Sequence, residues 1–301
     1  MRIYFLFIPL FAYTLVSAQS DCYENKQWPM PELSEAAQKI YSTKLAEARQ
    51  EFEKDSLSAD AITWLGRREA YLGNYKKAID IFTRGIALYP KDARLYRHRG
   101  HRYITLRCFD KAIEDFKKAA KLTKRKPDEI EPDGLPNAKN TPTSTLQSNI
   151  WYHLGLVYYI QGNYKEALNA YKECMQVSKN PDMYVATANW LYITLRKLNK
   201  NNEAEKLLAT INDRIELIEN KDYLEVLLLY KEQTGINDPV SFLQNEKKGL
   251  GFASFGFGLG NYFLLKGETE KARIVFQEIV NGKQWSSFGY IAAEAELAKM
   301  K

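Results

Sequence analysis

A chain of 301 residues, 45% hydrophobic and 27% charged, carries enough apolar side chain to bury a sizeable core and is not a disordered tail. Its formal net charge of +6 is too weak to argue for nucleic-acid binding, and three histidines are few for a metal-rich or histidine-based catalytic centre. The length fits two globular domains or one elongated one.

The first eighteen residues read as a secretory signal peptide. Arg2 supplies a basic start, Ile3 to Val16 is apolar apart from Pro9 and Thr14, and Val16-Ser17-Ala18 gives a small-residue cleavage pattern before Gln19. A retained anchor is the alternative, but the run is short for a membrane span. Asp21 and Gln19 stand where lipid attachment at Cys22 would need a small and an apolar residue, so a lipoprotein is rejected. A linker, 19–32, and a capping helix, 33–57, follow. Tyr41, Leu45, Ala48 and Phe52 share one face of that helix. Three cysteines remain, Cys22, Cys108 and Cys174. An odd set in an oxidising compartment allows at most one internal bridge and leaves one thiol over; no particular disulfide is predicted, and Cys174 reads as a small core residue.

From residue 58 to 300 the chain repeats. Gly66 and Gly100 lie 34 residues apart, as do Ala78 and Ala112, and Phe82 and Phe116. Gly155, Ala167 and Tyr171 follow 55 residues on, one period plus an insertion of 21, and Ala204 to Ala272 spans 68, two periods. The units run over 59–92, 93–126, 148–181, about 185–218 and 253–286, with a degenerate one beginning near Tyr223. With Leu65-Gly66, Gly73-Asn74-Tyr75, Ala78 and Phe82 in the first, and Trp151, Leu154-Gly155, Gly162-Asn163-Tyr164, Ala167 and Tyr171 in the third, the pattern resembles the tetratricopeptide repeat. The resemblance implies an all-α, right-handed α-solenoid of about five to six stacked helical hairpins. Glycine and alanine sit where paired helices approach most closely, and aromatics fill the space between hairpins. Phe288, Ile291, Ala292 and Ala295 suggest a C-terminal cap. The uncharged stretch 249–265 misses the phosphate-cradling glycine spacing and reads as the first helix of the last unit, with Gly256 and Gly260 as close-packing points.

The insertion, 125–147, carries four prolines and an Asp133-Gly134 turn signal. It is too long for an ordinary connection and is either a lid near the groove or a disordered excursion. The prolines lower the entropy lost on ordering, which favours the lid.

No GxSxG, HExxH, Walker A or CxxC signature appears, so the sequence points to binding and not to catalysis. First helices of such a solenoid line a concave groove. The residues expected to face it are Trp64, Arg67, Arg94, Arg97, His98, His101, Tyr152, His153, Tyr159, Asn189, Trp190 and Arg196. Residues 93–109 hold five arginines, two histidines and no acid. Arginine forks suit carboxylates and phosphates, and the aromatics offer flat apolar surfaces. This predicts a groove that takes an acidic segment or the carboxy-terminus of a polypeptide. The competing reading pairs the arginines with Glu69, Asp80 or Asp115, and Arg99, in a leucine slot, is expected to be structural. The Lys/Asn carboxylate clamp of some family members is absent as a set, since the matching slots hold Thr63, Arg67, His98, Asn149 and His153. His98, His101 and His153 could share a metal, but the arginines around them disfavour a cation and no carboxylate completes the set. No cofactor is expected. The sequence therefore predicts an exported, non-enzymatic scaffold or adaptor, periplasmic or secreted, for a protein or peptide partner that is acidic in character. It predicts no nucleic-acid partner and no membrane span once the signal is removed. An envelope binding protein for an anionic glycan or peptide is the alternative.

Overall fold

Side-chain caps mark where about half of the helices begin. A computed structural model describes residues 22–23, 26–132, 134, 137, 139–232 and 251–300; the expected signal peptide and part of the insertion lie outside the described residues. Helix α1, Glu35–Lys54, starts at Ser34, whose hydroxyl accepts from the Ala37 N–H. Hairpins follow: α2, Ala59–Tyr71, with α3, Tyr75–Leu88; α4, Ala93–Thr105, with α5, Phe109–Thr123; α6, Leu146–Ile160, with α7, Tyr164–Val177; α8, Pro181–Lys197, with α9, Asn201–Ala209. Helix α10, Lys221–Tyr230, precedes a last hairpin, α11, Gly251–Leu265, with α12, Thr269–Val280, and the closing α13, Phe288–Lys299. Ser58, Asp92, Thr145 and Asn180 cap the first helices of four hairpins, Thr145 and Ser148 forming a reciprocal capping box. Among the described residues there is no strand, only an isolated bridge between Ile130 and Thr145. The all-α solenoid read from the periodicity is the observed fold. Its fourth unit starts at Pro181, four residues before the sequence placed it.

The small residues act where the pattern put them. A Cβ on Gly66 would meet the Phe82 ring at 2.5 Å, and one on Gly155 would meet the Tyr171 ring at 2.6 Å. In the uncharged helix α11, Gly260 packs on Phe276 as expected, and Gly258 packs on Val226. No helix among the described residues is long and apolar enough to cross a membrane.

Successive first helices touch one another, α2 to α4 to α6 to α8, which places them on the inner face of the curve. That face is filled in two places. Helix α13 crosses back onto α6. Its Phe288 ring lies 5.2 Å from His153, Glu294 accepts from Arg107 at 2.8 Å, and Glu296 pairs with Lys197 at 2.8 Å. The expected cap is thus also the filling of the groove's far half. In the near half, α2 and α4 are covered by the insertion.

The N-terminal linker is tied down by a disulfide, Cys22–Cys108, which the sequence did not predict. The two residues lie 86 apart, so spacing alone gave no pairing signal. Closing a loop of that size restricts the unfolded chain by on the order of 4 kcal/mol. Trp28, on the same linker, stacks on Trp285 at 5.0 Å, with Arg107 over both rings. Cys174 is buried and unpaired, as expected.

Candidate partner-binding groove

The insertion is ordered where it crosses the groove. The Glu131 N–H donates to the Ser144 carbonyl and the Leu146 N–H to the Glu129 carbonyl, closing its base. Asp128 accepts from the Thr145 hydroxyl at 2.6 Å and the Gln147 N–H at 3.0 Å. Beyond that base the segment lies across α2 and α4. Arg67 donates to the Pro132 carbonyl at 2.6 Å and Arg68 to the Gly134 carbonyl. Arg97 Nε lies 3.0 Å from Glu131 Oε2, both side chains nine-tenths buried. The contact is an ion pair with poor alignment, since neither atom completes a hydrogen bond. An acidic, extended stretch of the protein's own chain therefore occupies the arginine-lined part of the groove.

The predicted residues separate into two groups. Around the insertion stand Trp64, Arg67, Arg94, Arg97, His98 and His101. Trp64 is half-buried beneath Arg67 and Arg68, whose guanidinium carbons sit 4.2 and 4.7 Å from its ring. Arg94 is held by Asp92 and Asp60 at 2.6 Å each, which raises its pKa, the bond to Asp92 being the main cause. Arg97 Nη1 donates toward Nδ1 of His98 at 3.0 Å and of His101 at 3.5 Å. Burial foremost, and the arginines after it, hold both rings well below the usual histidine range, so both are neutral. His153, reached through His101 at 4.7 Å between rings, gives its Nδ1 proton to the Asn149 carbonyl. The three rings do meet, but an arginine sits among them, and no metal-ligating cluster is present among the described residues.

The second group belongs to the packed interior. Tyr152 accepts from the Trp190 indole at 2.8 Å and shares a hydrogen bond with Tyr223. Trp190, 1% exposed, stacks on Phe257, and Tyr159, fully buried, reaches Asn261. Asn189 is buried beside them. These residues face inward along α6 and α8, as the repeat phase required, but α11 and α13 cover them. Arg196 is apart from both groups, against Tyr192 and Glu205. Arg99 is structural as expected, bridging to Asp115 at 2.7 and 2.8 Å.

Sequence reasoning counted Arg102 only among the five arginines of 93–109, and it missed Arg68, Tyr71 and Glu131. A signal for the last was present: residues 128–133 hold four acids, beside an acid-free helix bearing the arginines. A wider trough of about 690 Å³ stays open along the insertion's outer edge, lined in part by Asp60, Tyr89, Arg94, Lys126 and Gln147.

Comparison with known sequences finds the same repeat. Sequence models of the tetratricopeptide repeat match residues 64–129 and 148–181, so these two stretches carry tetratricopeptide repeats. It is 31% identical over 105 residues to human tetratricopeptide repeat protein 13, spanning 35% of this chain and only 10% of that protein. Among solved structures, a tetratricopeptide repeat protein from Parabacteroides merdae aligns over 88% of this chain and 94% of its own, at 16% identity and a TM-score of 0.47. YrrB, described as a tetratricopeptide protein with an unusual peptide-binding site, aligns over 83% of this chain and 97% of its own, at 15% identity and a TM-score of 0.45.

Proposed function

We propose that this protein is an exported, non-enzymatic adaptor that binds an extended acidic segment of a protein partner in the groove of α2 and α4, in competition with its own insertion. The observation that supports this reading most is the seating of Glu131 and Pro132 on Arg97 and Arg67. It gives the groove's preference in chemical terms: a carboxylate for Arg97, a main-chain carbonyl for Arg67, and Trp64 alongside as an apolar shelf. A tethered segment faces its site at millimolar effective concentration, so a partner must outcompete it or add contacts of its own. The open trough beside the insertion, with Arg94 and Lys126, supplies such contacts. Export is supported by the signal-like first eighteen residues and by the Cys22–Cys108 disulfide, a bond that persists in oxidising compartments such as the periplasm.

The test is partner capture from envelope extract by three forms: the natural protein, Glu131→Ala and Trp64→Ala. Glu131→Ala frees Arg97 and lifts the insertion, so capture rises; Trp64→Ala removes the shelf, so capture falls. Equal capture by all three would place the binding surface outside this groove.

A further inference from the structure

Beneath the docked insertion lies a cavity of about 170 Å³. Its walls carry three guanidinium groups, Arg67, Arg97 and Arg102, and the rings of His98 and His101, against a single carboxylate, Glu131. Arg97 is the arginine that Glu131 pairs with. Arg67 spends its donors on the Pro132 carbonyl and the Tyr71 hydroxyl, both neutral. Arg102 enters no ion pair among the described residues and lies 5.7 Å from the Tyr75 ring. The histidines neither add to the charge nor relieve it. The Arg97 donor on their Nδ1 atoms leaves each ring proton on Nε2, so both are neutral donors.

This is a partly open space beneath the insertion, with two positive charges in excess and guanidinium donors from two helices. Gathering like charges out of water is unfavourable unless an anion joins them. Planar arginine forks and neutral imidazole N–H groups are the donors that suit a tetrahedral oxyanion. The volume admits a small ion with a few waters and leaves no room for a polymer. We infer that the cavity binds a small free oxodianion of the phosphate or sulfate class, held by Arg67, Arg97 and Arg102, with the insertion as its cover. The site shares Arg67 and Arg97 with the adaptor reading, but titration with a free ion needs no partner, so the two readings fail separately.

Calorimetric titration of the full, disulfide-bonded protein with inorganic phosphate and with sulfate, in chloride buffer of constant ionic strength, tests it. One saturable site is expected, together with a higher melting temperature in phosphate. Arg102→Gln should weaken phosphate binding about tenfold or more, the worth of one charge-assisted contact. Since Arg102 has no ion pair to lose, that variant should melt no lower than the natural protein in phosphate-free buffer. Arg102→Lys, which keeps the charge without the fork, should lose less and serves if the glutamine variant folds poorly. Phosphoethanolamine, a bulkier phosphomonoester, should bind more weakly than phosphate; tighter binding would overturn a free ion as the occupant. Absence of binding by either ion, or binding undiminished in both Arg102→Gln and Arg67→Gln, would overturn the proposal. So would phosphate binding that emerges only in Glu131→Gln, because the cavity's counter-charge would then come from the protein itself.

Discussion

Replacing Glu131 with glutamine removes the carboxylate that faces Arg97 and keeps the side chain's size. Breaking one side of a buried pair costs about 3–5 kcal/mol when the remaining charge has nowhere to go. Here it has an escape, because the insertion can lift and let water reach Arg97. The cost is therefore capped by what holds the insertion down. That is chiefly the Arg67 bond to the Pro132 carbonyl and the Arg68 bond to the Gly134 carbonyl, about 1.5–3 kcal/mol each as charge-assisted contacts. Arg68 is partly exposed, so its share lies at the low end or below. An opening free energy lowered by about 3 kcal/mol speeds local exchange on the order of a hundredfold. Hydrogen exchange at the Glu131 and Leu146 amides reads this directly, since both donate within the insertion's base. The global melting temperature should fall much less. A double variant, Arg97→Met with Glu131→Leu, should recover most of the protection, because both charges leave together. Exchange within about twofold of the natural protein in Glu131→Gln would refute the argument that this ion pair holds the insertion.

Acid should destabilise the fold early. Burial first, and arginine neighbours next, lower His98 and His101; for His153 burial leads and Arg97 follows, against the Asn149 carbonyl. The unfolded chain takes up protons near pH 6.5 while the folded one does not, so stability falls as pH drops below about 6.5, by up to about 1.4 kcal/mol per unit per histidine. Urea melts at pH 7.5 and 5.5 measure it, and a flat profile contradicts it. Burial pushes the Cys174 thiol up to about 11. A thiol reagent should therefore leave the native protein unlabelled, find one site after denaturation and three after denaturation with reduction. Gly155→Ala sets a Cβ 2.6 Å from the Tyr171 ring and should cost about 1–3 kcal/mol by overpacking. At Gly162 the space is open but φ is +77°, so alanine there should cost about 1–2 kcal/mol through the backbone alone. Thermal melts that rank these two the other way would show that the strained backbone at Gly162 outweighs the helix contact at Gly155.

The fold was legible because a helical hairpin cannot bury its own face, so stacking imposes one period on the chain. Gly66, Gly155, Phe82 and Tyr171 declare that period and meet in the structure as expected. The inner face was legible too, since Trp64, Arg97, Tyr152 and Trp190 all point inward. What covers that face was not. Repeat phase gives direction for each first helix, but it says nothing of a segment arriving from elsewhere in the protein. Phe288 and Glu294 come from the far end, and Glu131 from an insertion outside the period. The Cys22–Cys108 bridge joins a linker with no repeat phase to a turn that has one, so periodicity was silent on it. Arg102 was counted among the arginines of 93–109 but not singled out, because its interest lies in the ion pair it lacks, and only side-chain placement reveals that.

The proposal that the groove of α2 and α4 takes an acidic segment where the insertion now lies stands or falls on a competition. The most direct measurement is hydrogen exchange at the Glu131 and Leu146 amides, with and without a large excess of a peptide copying residues 126–134. If peptide and insertion compete for Arg67 and Arg97, the peptide speeds exchange at both amides and Trp64→Ala blunts the effect. Exchange unmoved by the peptide, or slowed by it, would contradict the claim.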